Sequence, residues 1–573
     1  MDKQALDKYL TTEPDNGYQN TLEKIWDKIP ETEISADDYE KYERFFDDLA
    51  LKLSTAGTSD SGFPTIDFCS EVFISRFRKL KKHIANIKYN LVLESDMIKI
   101  LELLNTNGYK PLLIGGCVRD AYLGIKPKDI DVEVYGISYE KLQQFLSSYG
   151  RVDIVGKAFG VIVFTHFGSK MRYDFSIPRK ENKLGVGHTS FNITLDSNLS
   201  IKEASSRRDV TFNALAYDPI TNELHDYYGG IGDLENGIIR HTSEQFKEDS
   251  LRIWRCCQFQ ARFDFKIHPD TIAIMKKMLT DNPDDFKMLS VERVHEEFMK
   301  WSEKGTHHDL IFKFMRDTGL INFYPELKAL KETPQDELWH GEGDVEIHSQ
   351  MCVTEIDRII SENNITGIDK IILVLATLTH DIGKPNTTVH EVKNGRMAIT
   401  SNGHEALGGK MVVEFLSSLG FNQELIIPIS NLVANHLAGV NISKITSHSS
   451  QVKAVKRLSR KLHPATIQQL LFLMEADSRG RLPQKEPSGA KIIADIAKDL
   501  DVTVKQYEYI LMGRHLIEWA GLRPSLEFGI ILKASYEAQE NGEINNLDDA
   551  KKWLLDYLNK SISEGLTRLG IKN

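Results

Sequence analysis

Three aspartates in the first half of the sequence have a spacing that suits metal chemistry. Asp129 and Asp131 open an apolar segment at residues 130–135 that is typical of a strand, and alternate residues of a strand point to the same side. Two carboxylates held so close repel each other unless a cation neutralises them, and oxygen ligands at this spacing suit Mg²⁺ carrying a nucleoside triphosphate. A third carboxylate, Asp174, lies in a later strand-like segment. Around two metal ions, these three catalytic candidates would activate a 3′-hydroxyl and stabilise departing pyrophosphate.

A Gly-Gly turn lies just upstream of these aspartates. The sequence Gly-Gly-Cys-Val-Arg-Asp at residues 115–120 follows the apolar run 111–114, a pattern typical of a strand, a turn and the start of a helix. Gly115 and Gly116 would let the main chain approach a phosphate, the helix N-terminus would supply N–H donors, and Arg119 would supply positive charge. Most Gly-Gly turns and most D-x-D pairs have no catalytic role, but their combination favours a phosphate-transfer site.

A second set of candidate ligands lies in the later half of the chain. Its centre is an adjacent His-Asp pair behind an apolar helical segment, and further histidines and an aspartate precede and follow this pair. The six residues are His348, His380, Asp381, His404, His436 and Asp477. Each histidine alone is more often structural or exposed than a ligand. Imidazole and carboxylate groups together suit divalent metals, with Ni²⁺, Mn²⁺, Fe²⁺ or Mg²⁺ as candidates. A bound metal would lower the pKa of a water molecule and direct hydroxide at phosphorus, and Lys384 would contact the substrate phosphate.

Alternating apolar segments place the three aspartates in an α/β region. A helical pattern over residues 97–105 leads into the strand at 111–114, and further strands are predicted at 130–135, 152–155, 161–165 and 171–177. Beyond about residue 200 the pattern is almost wholly helical to the end of the sequence. The predicted fold is therefore multidomain, with an α/β head followed by an all-α neck and body and a further all-α domain.

Composition and charge limit the class of protein. The 573 residues are 41% hydrophobic and 27% charged, as in an ordinary soluble protein, and the five cysteines indicate reduced thiols in the cytoplasm. The charged first residues argue against a signal peptide, and apolar runs such as residues 371–378 are too short to span a bilayer, so no membrane association is expected. The net charge of −11 argues mildly against nucleic-acid binding. Two basic stretches, residues 76–82 and 453–461, are either RNA contacts or solvated helix faces.

The head motifs together resemble those of a known family. The 115–120 turn and Asp129-x-Asp131 look like the head of class II tRNA nucleotidyltransferases and bacterial poly(A) polymerases, within the polymerase beta superfamily. Four further segments match in the family's order: residues 156–160 resemble its flexible-loop approach, 207–215 its R-R-D-F-T-I-N-A-L signature, 226–234 the segment that follows it, and 292–296 its E-R-V-x-x-E motif. The resemblance covers roughly residues 95–335. It implies a polymerase-beta-like head and implies that Arg208, Asp209 and Arg255 bind the nucleotide.

The segment at residues 248–252 resembles the family's E-D-x-x-R motif, which suggests how a base is read without a template. Asp249 and Arg252 are three residues apart, so they are predicted to be neighbours on one helix face. Cytosine and adenine both present an amine donor beside a ring-nitrogen acceptor, which suits a carboxylate beside a guanidinium. Guanine and uracil would leave both groups unpaired, at about 1–3 kcal/mol for each buried group. One departure from the family is Gln258, where a further arginine is common.

The later ligand series resembles the HD phosphohydrolase superfamily, and some bacterial tRNA nucleotidyltransferases carry such a domain. The resemblance implies 2′,3′-cyclic phosphodiesterase and phosphatase activity here. It also favours five segments: a mostly helical extension of unknown role at 1–92, the nucleotidyltransferase head at 93–235, a neck and body for base reading and RNA binding at 236–335, the HD domain at 336–485, and a helical tail at 486–573.

The function predicted from these resemblances is the addition of C, C and A to the 3′ end of tRNA from CTP and ATP, with Mg²⁺ in the transferase site. A poly(A) polymerase or an enzyme adding only CC or only A remains an alternative, as does an HD nucleotide hydrolase with a nucleotide-sensing head. The tail segment 513–524 resembles a C-terminal segment of bacterial members and is either an RNA contact or structural. The sequence does not indicate the oligomeric state.

Overall fold

The computed structural model describes residues 91, 93–154, 160–167, 171–183, 191–393 and 395–568. These residues form two compact units: the first extends to Ser290 without Ala261–Phe263, and the second comprises Ala261–Phe263 and the chain from Val291 onward. Of the predicted extension at 1–92, residues 1–90 and 92, with the basic stretch at 76–82, lie outside the described residues, as do residues 156–159 of the flexible-loop motif at 156–160.

The first unit is built on a mixed seven-stranded sheet. The strands are β1 Lys110–Ile114, β2 Ile130–Tyr135, β3 Gly150–Ile154, β4 Val161–His166, β5 Arg172–Ser176, β8 Ala216–Asp218 and β9 Glu223–His225. Their order in the sheet is β3-β4-β5-β2-β1-β8-β9, and β2 pairs with β5 in parallel while the other neighbouring strands are antiparallel. Leu112, Leu113, Val132 and Val134 are fully buried, so the central strands β1 and β2 hold the sheet in its core.

Short helices surround this sheet. Apolar positions three and four apart bury one face of the first helix, where Met97, Leu101 and Leu104 are inaccessible to solvent. Ser200 and Glu203 form a capping box that starts the helix before the Arg-Arg-Asp segment. The helices of this region are α1 Ser95–Thr106, α2 Gly116–Tyr122, α3 Tyr139–Ser147, α4 Ile201–Ser206 and α5 Gly230–Asn236. A separate antiparallel hairpin consists of β6 Arg179–Lys183 and β7 Phe191–Leu195.

The first unit continues into three helices. Helix α6 Leu251–Phe263 begins within the E-D-x-x-R segment at 248–252, and Trp254 on it is fully buried. Its last three residues, Ala261–Phe263, belong to the second unit. Helices α7 Pro269–Asp281 and α8 Pro283–Lys287 both begin with proline, which is suited to the first helical turn because it lacks a donor there. Strands β10 Ile238–Ile239 and β11 Lys266–Ile267 form a short parallel pair.

The second unit is mainly helical. Its helices up to the candidate metal cluster are α9 Val291–Lys304, α10 Leu310–Thr318, α11 Pro325–Lys328, α12 Val345–Glu362, α13 Gly367–Thr379, α14 His404–Ser418, α15 Gln423–Asn435, α16 Ala438–Ser443, α17 His448–Leu462 and α18 Ile467–Arg479. Between α13 and α14 lies an antiparallel hairpin, β12 Val389–Lys393 and β13 Arg396–Thr400. Helix α13 is buried from Lys370 to Thr379, so it forms the centre of this unit.

The end of the chain adds four helices. They are α19 Ala490–Asp499, α20 Gly513–Ala520, α21 Leu526–Glu540 and α22 Leu547–Arg568. The last three of these helices share a small apolar core that includes Leu511, Leu516, Ile531 and Leu554. The predicted tail segment 513–524 thus forms α20 and the turn after it, and Leu516 lies in this core.

The basic stretch 453–461 lies on α17, where it makes contacts within the fold. Arg457 and Arg460 each bind Glu540, with Nε–Oε2 and Nη2–Oε1 distances of 2.7 and 2.5 Å. Lys456 lies 5.0 Å from the ring centre of Tyr507. These internal ion pairs account for much of the charge in the stretch, so it is not simply a solvated face.

The predicted fold class is confirmed: an α/β head precedes a helical body and a helical domain with the ligand series. Three hairpins, β6–β7, β8–β9 and β12–β13, were not predicted. Strand β6 is wholly polar and β8 and β9 have three residues each, but β7 alternates Phe191, Ile193 and Leu195 with polar residues, so its pattern was available and was missed. The stretch Gln423–Ser443 is long and apolar enough to cross a membrane by length and composition, although half of that stretch is buried inside the unit. The four described cysteines are free and buried.

Candidate active sites

The parallel pairing of β2 and β5 brings two of the three candidate catalytic aspartates together. Asp131 lies directly opposite Asp174 in the register of these strands. Asp129 precedes β2 and is exposed, whereas Asp131 is half-buried. The three carboxylates therefore gather at one end of the β2–β5 pair.

The charge balance of this cluster favours a bound cation. Burial raises the pKa of Asp131, the Arg208 guanidinium opposes this rise, and the neighbouring carboxylates of Asp174 and Asp129 add to it. A carboxylate disfavoured by burial and by like charges is stabilised when a cation neutralises the cluster. Carboxylate oxygens are ligands that suit Mg²⁺, which fills its remaining positions with water and substrate phosphates, so the residues fit a magnesium site. Arg172 binds Asp174 with an Nε–Oδ1 distance of 3.1 Å and already balances part of this charge.

A buried glutamate that the sequence analysis did not single out lies on the same strand. Glu133 is 2% exposed, and its Oε1 is 3.3 and 3.4 Å from Nη2 of Arg207 and Arg208. Its Oε2 accepts a hydrogen bond of 2.6 Å from the Tyr135 hydroxyl. Because residues 131 and 133 share one face of β2, Glu133 holds the arginine pair beside the aspartate cluster. The acid-x-acid spacing that singled out Asp129 and Asp131 continues to Glu133 and was the available signal.

The Gly-Gly turn has the expected conformation. Gly115 has φ +71°, which glycine adopts without strain, and it precedes α2. A side chain at Gly115 would lie 3.8 Å from Nη1 of Arg208, so the turn and this arginine are close neighbours.

Arg119 is engaged within the fold. It is 5% exposed, and it donates from Nε to Asp120 at 2.8 Å and from Nη1 to Oδ1 of Asn213 at 2.5 Å. In this structure its side chain therefore fastens the Gly-Gly turn to the Arg-Arg-Asp segment. Its predicted phosphate contact stays a prediction.

Asp209 and Arg255 continue this network. The Arg255 Nε lies 2.6 Å from Oδ2 of Asp209, and Oδ1 of Asp209 accepts hydrogen bonds from Asn213 Nδ2 and Val210 N. Burial opposes the charge on Asp209, but the Arg255 guanidinium and these hydrogen bonds lower its pKa to about 2. Asp209 is buried and Arg255 is partly exposed, so the aspartate fixes the arginine that the resemblance assigns to nucleotide binding.

The predicted placement of Asp249 and Arg252 on one helix face is wrong. Helix α6 begins at Leu251, and Asp249 lies before it in extended backbone, where its Oδ1 accepts from Leu251 N at 3.1 Å. Aspartate competes for main-chain donors at helix starts, which ends the helical spacing before this residue. The Arg252 guanidinium donates to the carbonyl oxygens of Gln245 and Arg207 at 2.7 and 2.6 Å. The two residues are thus placed by a turn and by main-chain contacts. Gln258, which stands where the family often has arginine, is 4% exposed.

The six residues of the later ligand series converge in the second unit. Helix α12 carries His348, His380 and Asp381 follow the end of α13, His404 starts α14, His436 follows the end of α15, and α18 carries Asp477. All six are buried. They fall into two separate groups whose donor atoms lie close enough to hold a metal ion, the first with His348, His380 and Asp477 and the second with Asp381, His404 and His436. A third such group, His340 with Glu342, shares His348 with the first.

Asp381 lies between the two groups. Its Oδ2 is 3.5 Å from Nε2 of His348 and 3.3 Å from Nε2 of His380, while its Oδ1 is 3.2 Å from Nε2 of His404. The Nε2 of His436 is 3.9 Å from the same Oδ1, and Oδ1 of Asp477 is 3.2 Å from Nε2 of His348. With one oxygen toward each group, the Asp381 carboxylate would contribute negative charge to a metal ion held by either group.

The hydrogen-bond partners of the Nδ1 atoms determine whether the Nε2 atoms of these histidines can bind a metal ion. Nδ1 of His380, His404 and His436 lies 2.8, 2.6 and 2.7 Å from the carbonyl oxygens of Thr377, Ser401 and Val433. Because carbonyl oxygens only accept, each Nδ1 carries the hydrogen, and a neutral ring then presents the Nε2 lone pair to the centre.

Two pairs of these inner nitrogens face each other. Nε2 of His348 is 3.3 Å from Nε2 of His380, and Nε2 of His404 is 3.2 Å from Nε2 of His436. Two facing nitrogen lone pairs repel each other unless a proton or a metal ion lies between them. Although burial favours the neutral ring, the Asp381 carboxylate raises the pKa of His380 to about 10, so a proton can take this place and a metal ion would displace it. Burial, together with the neighbouring His404 and His380, lowers the pKa of His436 to about 3, which leaves this ring neutral and able to bind a metal.

Basic side chains surround the cluster and a cavity opens beside it. Lys384 lies 2.6 Å from Oδ2 of Asp381 and 2.7 Å from Oε1 of Gln335, and Arg481 lies 2.5 Å from Oδ1 of Asp477. The cavity has a volume of about 410 Å³ and is lined by both cations, by four of the ligand residues and by Lys444. Positive charge beside a metal cluster favours an anionic phosphoester as the bound molecule.

Sequence analysis missed two side chains at this centre. Glu342 Oε1 lies 3.0 Å from Nδ1 of His348 and 2.7 Å from Nδ1 of His340, so it orients both rings. Cys352 Sγ lies 3.5 Å from Nε2 of His348 and belongs to the first ligand group. Cys352 stands one helical turn after His348, which was the available signal.

Comparison with known proteins agrees with this organisation. Residues 112–240 match the model of the poly A polymerase head domain, and residues 345–503 match the model of the HD domain. The solved CCA-adding enzyme of Bacillus stearothermophilus in complex with CTP is 19% identical, with a TM-score of 0.53 over 82% of this chain and 98% of that chain.

Two further CCA-adding enzymes are similar in fold. One is in complex with CTP and one with ATP, both are 18% identical, and their TM-scores are 0.52 and 0.50. They cover 83% and 84% of this chain and 98% and 96% of their own. Residues 112–240 are therefore similar to the poly A polymerase head-domain family and residues 345–503 to the HD family, and the chain has the fold of the CCA-adding enzymes.

Proposed function

We propose that this protein is a template-independent tRNA nucleotidyltransferase that adds C, C and A to the 3′ end of tRNA from CTP and ATP. The observation that carries this proposal is that Asp131 lies opposite Asp174 in the strand register. Asp129 lies close to this pair, and so does Arg208, which forms an ion pair with Glu133. The fold shared with CCA-adding enzymes, two of which hold CTP and one ATP, supports these two substrates.

The chain's own residues divide the work at this site. Asp129, Asp131 and Asp174 hold the divalent metal ions, for which Mg²⁺ is proposed, and the ions supply charge that activates the 3′-hydroxyl and stabilises pyrophosphate. Arg208 and Arg255 bind the triphosphate, and Glu133 and Asp209 orient these guanidinium groups before the nucleotide arrives.

Base choice is assigned to Asp249 and Arg252. The carboxylate accepts from the exocyclic amine of cytosine or adenine, and the guanidinium donates to the adjacent ring nitrogen. The main-chain contacts of Arg252 fix its side chain, so that a base with the reverse donor pattern finds no partner.

We further propose that the HD domain is a phosphohydrolase that acts on phosphomonoesters and cyclic phosphodiesters. The donor set of imidazoles and carboxylates fits Ni²⁺, Mn²⁺, Fe²⁺ or Mg²⁺, and a bound ion supplies an activated water for attack on phosphorus. Lys384 and Arg481 bind the phosphate oxygens beside the cluster. Asp381 and the histidines determine where a metal ion, and with it the attacking water, would lie relative to the phosphorus.

A primer-extension experiment tests the transferase proposal. tRNA transcripts that end before CCA, after C and after CC are incubated with Mg²⁺ and either CTP or ATP, and products are read at nucleotide resolution. Sequential addition that stops after the A supports the proposal. Long poly(A) on any RNA without CMP incorporation would overturn it in favour of a poly(A) polymerase, and addition limited to CC or to A would identify a partial enzyme. We also propose that the enzyme acts in the cytoplasm, and cell fractionation tests this localisation.

A further inference from the structure

Trp339 stands at the cavity beside the HD cluster with much of its ring uncovered. It is 52% exposed and lines the same cavity as Asp381, His404 and Lys384. An indole exposed to this extent leaves about half of its apolar area in water beside a charged cavity. Exposed aromatic rings in such places provide stacking surface for planar ligands.

The turn that carries Trp339 is held firmly. Asp336 accepts from the main-chain N–H of Leu338 at 3.2 Å, its carbonyl oxygen accepts from the N–H of Trp339 at 2.9 Å, and its carboxylate binds Arg396 through two contacts of 2.8 and 3.0 Å. Gly341 N donates to the Leu482 carbonyl at 2.7 Å and fastens the far end of the turn. The indole is therefore positioned in advance, which lowers the entropy lost on binding.

One face of the indole is occupied by a cation. Lys485 Nζ lies 3.9 Å from the ring centre, and the Lys485 carbonyl oxygen accepts a hydrogen bond from Ser478. With one face covered, a planar ligand has the other face to stack on.

We infer that Trp339 is the base-stacking residue of the HD site, and that this site selects phosphoesters that carry a nucleobase over base-free sugar phosphates. The inference rests on the proposed phosphohydrolase function. The phosphate binds at the metal cluster with Lys384 and Arg481, and the base stacks on the open face of Trp339. The cavity volume of about 410 Å³ lies in the range of small-molecule sites.

Paired substrates that differ only in the base test this inference. Phosphate release by the full-length, metal-loaded protein is compared for adenosine 5′-monophosphate and ribose 5-phosphate, and for a short RNA with a terminal phosphate, which distinguishes a free nucleotide from an RNA end. In Trp339→Leu the ratio of kcat/KM for the base-bearing over the base-free substrate falls about tenfold, mainly through KM, and Trp339→Phe restores most of it. Leu338→Ala, the adjacent residue at 60% exposure outside the cavity lining, leaves the ratio unchanged.

An unchanged ratio in Trp339→Leu, or an equal loss on both substrates, overturns the inference. If the wild-type protein hydrolyses none of these monoesters, the phosphomonoesterase part of the proposed function fails, and a binding measurement still decides the role of Trp339. Adenosine 5′-monophosphate with Mn²⁺ should quench tryptophan emission in the wild type and not in Trp339→Phe, and ribose 5-phosphate should quench neither. Equal quenching in the two proteins contradicts stacking on Trp339.

Discussion

Asp131 and Asp174 lie opposite each other on the two parallel strands of a sheet whose other neighbours are antiparallel. The parallel pairing matters because it places residues from separate parts of the chain at the same end of adjacent strands. With Asp129 beside them, the two carboxylates raise each other's energy in the absence of a cation. The site is thus stabilised by the ions it is proposed to use.

We therefore expect Asp131→Asn to abolish nucleotide addition while leaving the first unit at least as stable. Loss of a metal-binding carboxylate removes several kcal/mol of transition-state stabilisation, so kcat falls about a thousandfold or more. The amide also removes like-charge repulsion, so thermal unfolding without Mg²⁺ occurs at an equal or higher temperature. Asp153→Asn, which loses an exposed ion pair with Arg151 elsewhere in the sheet, is the control. Full addition activity in Asp131→Asn would refute the assignment.

Glu133 should act through the arginines it binds. Glu133→Gln keeps a hydrogen-bond acceptor but removes the charge that holds Arg207 and Arg208, so we expect KM for CTP and ATP to rise about tenfold with a smaller change in kcat. Steady-state kinetics with each triphosphate measure this split, and circular dichroism checks the fold. An unchanged KM with lowered stability would indicate a structural carboxylate with no part in nucleotide binding.

The strands around Asp131 and Glu133 show which features could be predicted from the sequence. Strand alternation was enough to place Asp129 and Asp131 together and to predict β1, β2, β4 and β5, because these strands are buried and apolar. The register of β2 with β5 depends on a non-local pairing that no local pattern encodes. The acid-x-acid spacing continues to Glu133, but its role was not predicted because its partners Arg207 and Arg208 lie far along the chain.

The prediction that Asp249 and Arg252 share a helix face was wrong for a local reason. Spacing of three residues predicts a shared helix face only inside a helix, and here Asp249 lies two residues before the first helical residue, Leu251, whose main-chain N–H its side chain accepts from. The HD ligands were predicted from their types and order, but the position of Asp381 between the two groups and the contact of Glu342 with His348 required coordinates.

The contact of Asp249 with the start of α6 shapes the test of base choice. Asp249→Asn can still accept from the Leu251 N–H, so the helix start is retained, while the carboxylate that accepts from the base amine is lost. We expect UTP and GTP incorporation to rise relative to CTP and ATP, by about five- to a hundredfold in selectivity. Incorporation of each nucleotide at a single template-free step measures this ratio. Glu244→Ala changes an exposed carboxylate in the preceding turn and serves as control, and unchanged selectivity in Asp249→Asn would count against base reading.

The pKa of Asp209 predicts an acid-sensitive first unit. Its pKa in the folded protein is about 2, against 3.8 as the ordinary value, because Arg255 and hydrogen bonds outweigh burial. A lowered folded pKa means that the stabilisation is complete above pH 4 and is lost as the pH falls toward 2; it amounts to about 2 kcal/mol. Denaturant unfolding of wild type and Asp209→Asn across this range measures the difference. The gap between the two proteins should narrow below pH 4, and a gap independent of pH would contradict the ion pair.

The two proposed active sites should be separable by mutation. His380→Ala removes a ring whose Nε2 faces both His348 and Asp381, so it should lower the bound metal content of the HD domain and reduce phosphate release by about a hundredfold or more. CCA addition should persist, because the carboxylate cluster lies in the other unit and shares no ligand with it. Metal analysis and the two assays on one preparation measure this, and His390→Ala on the exposed hairpin strand is the matched control. Loss of both activities in a folded His380→Ala protein would show that the sites depend on each other.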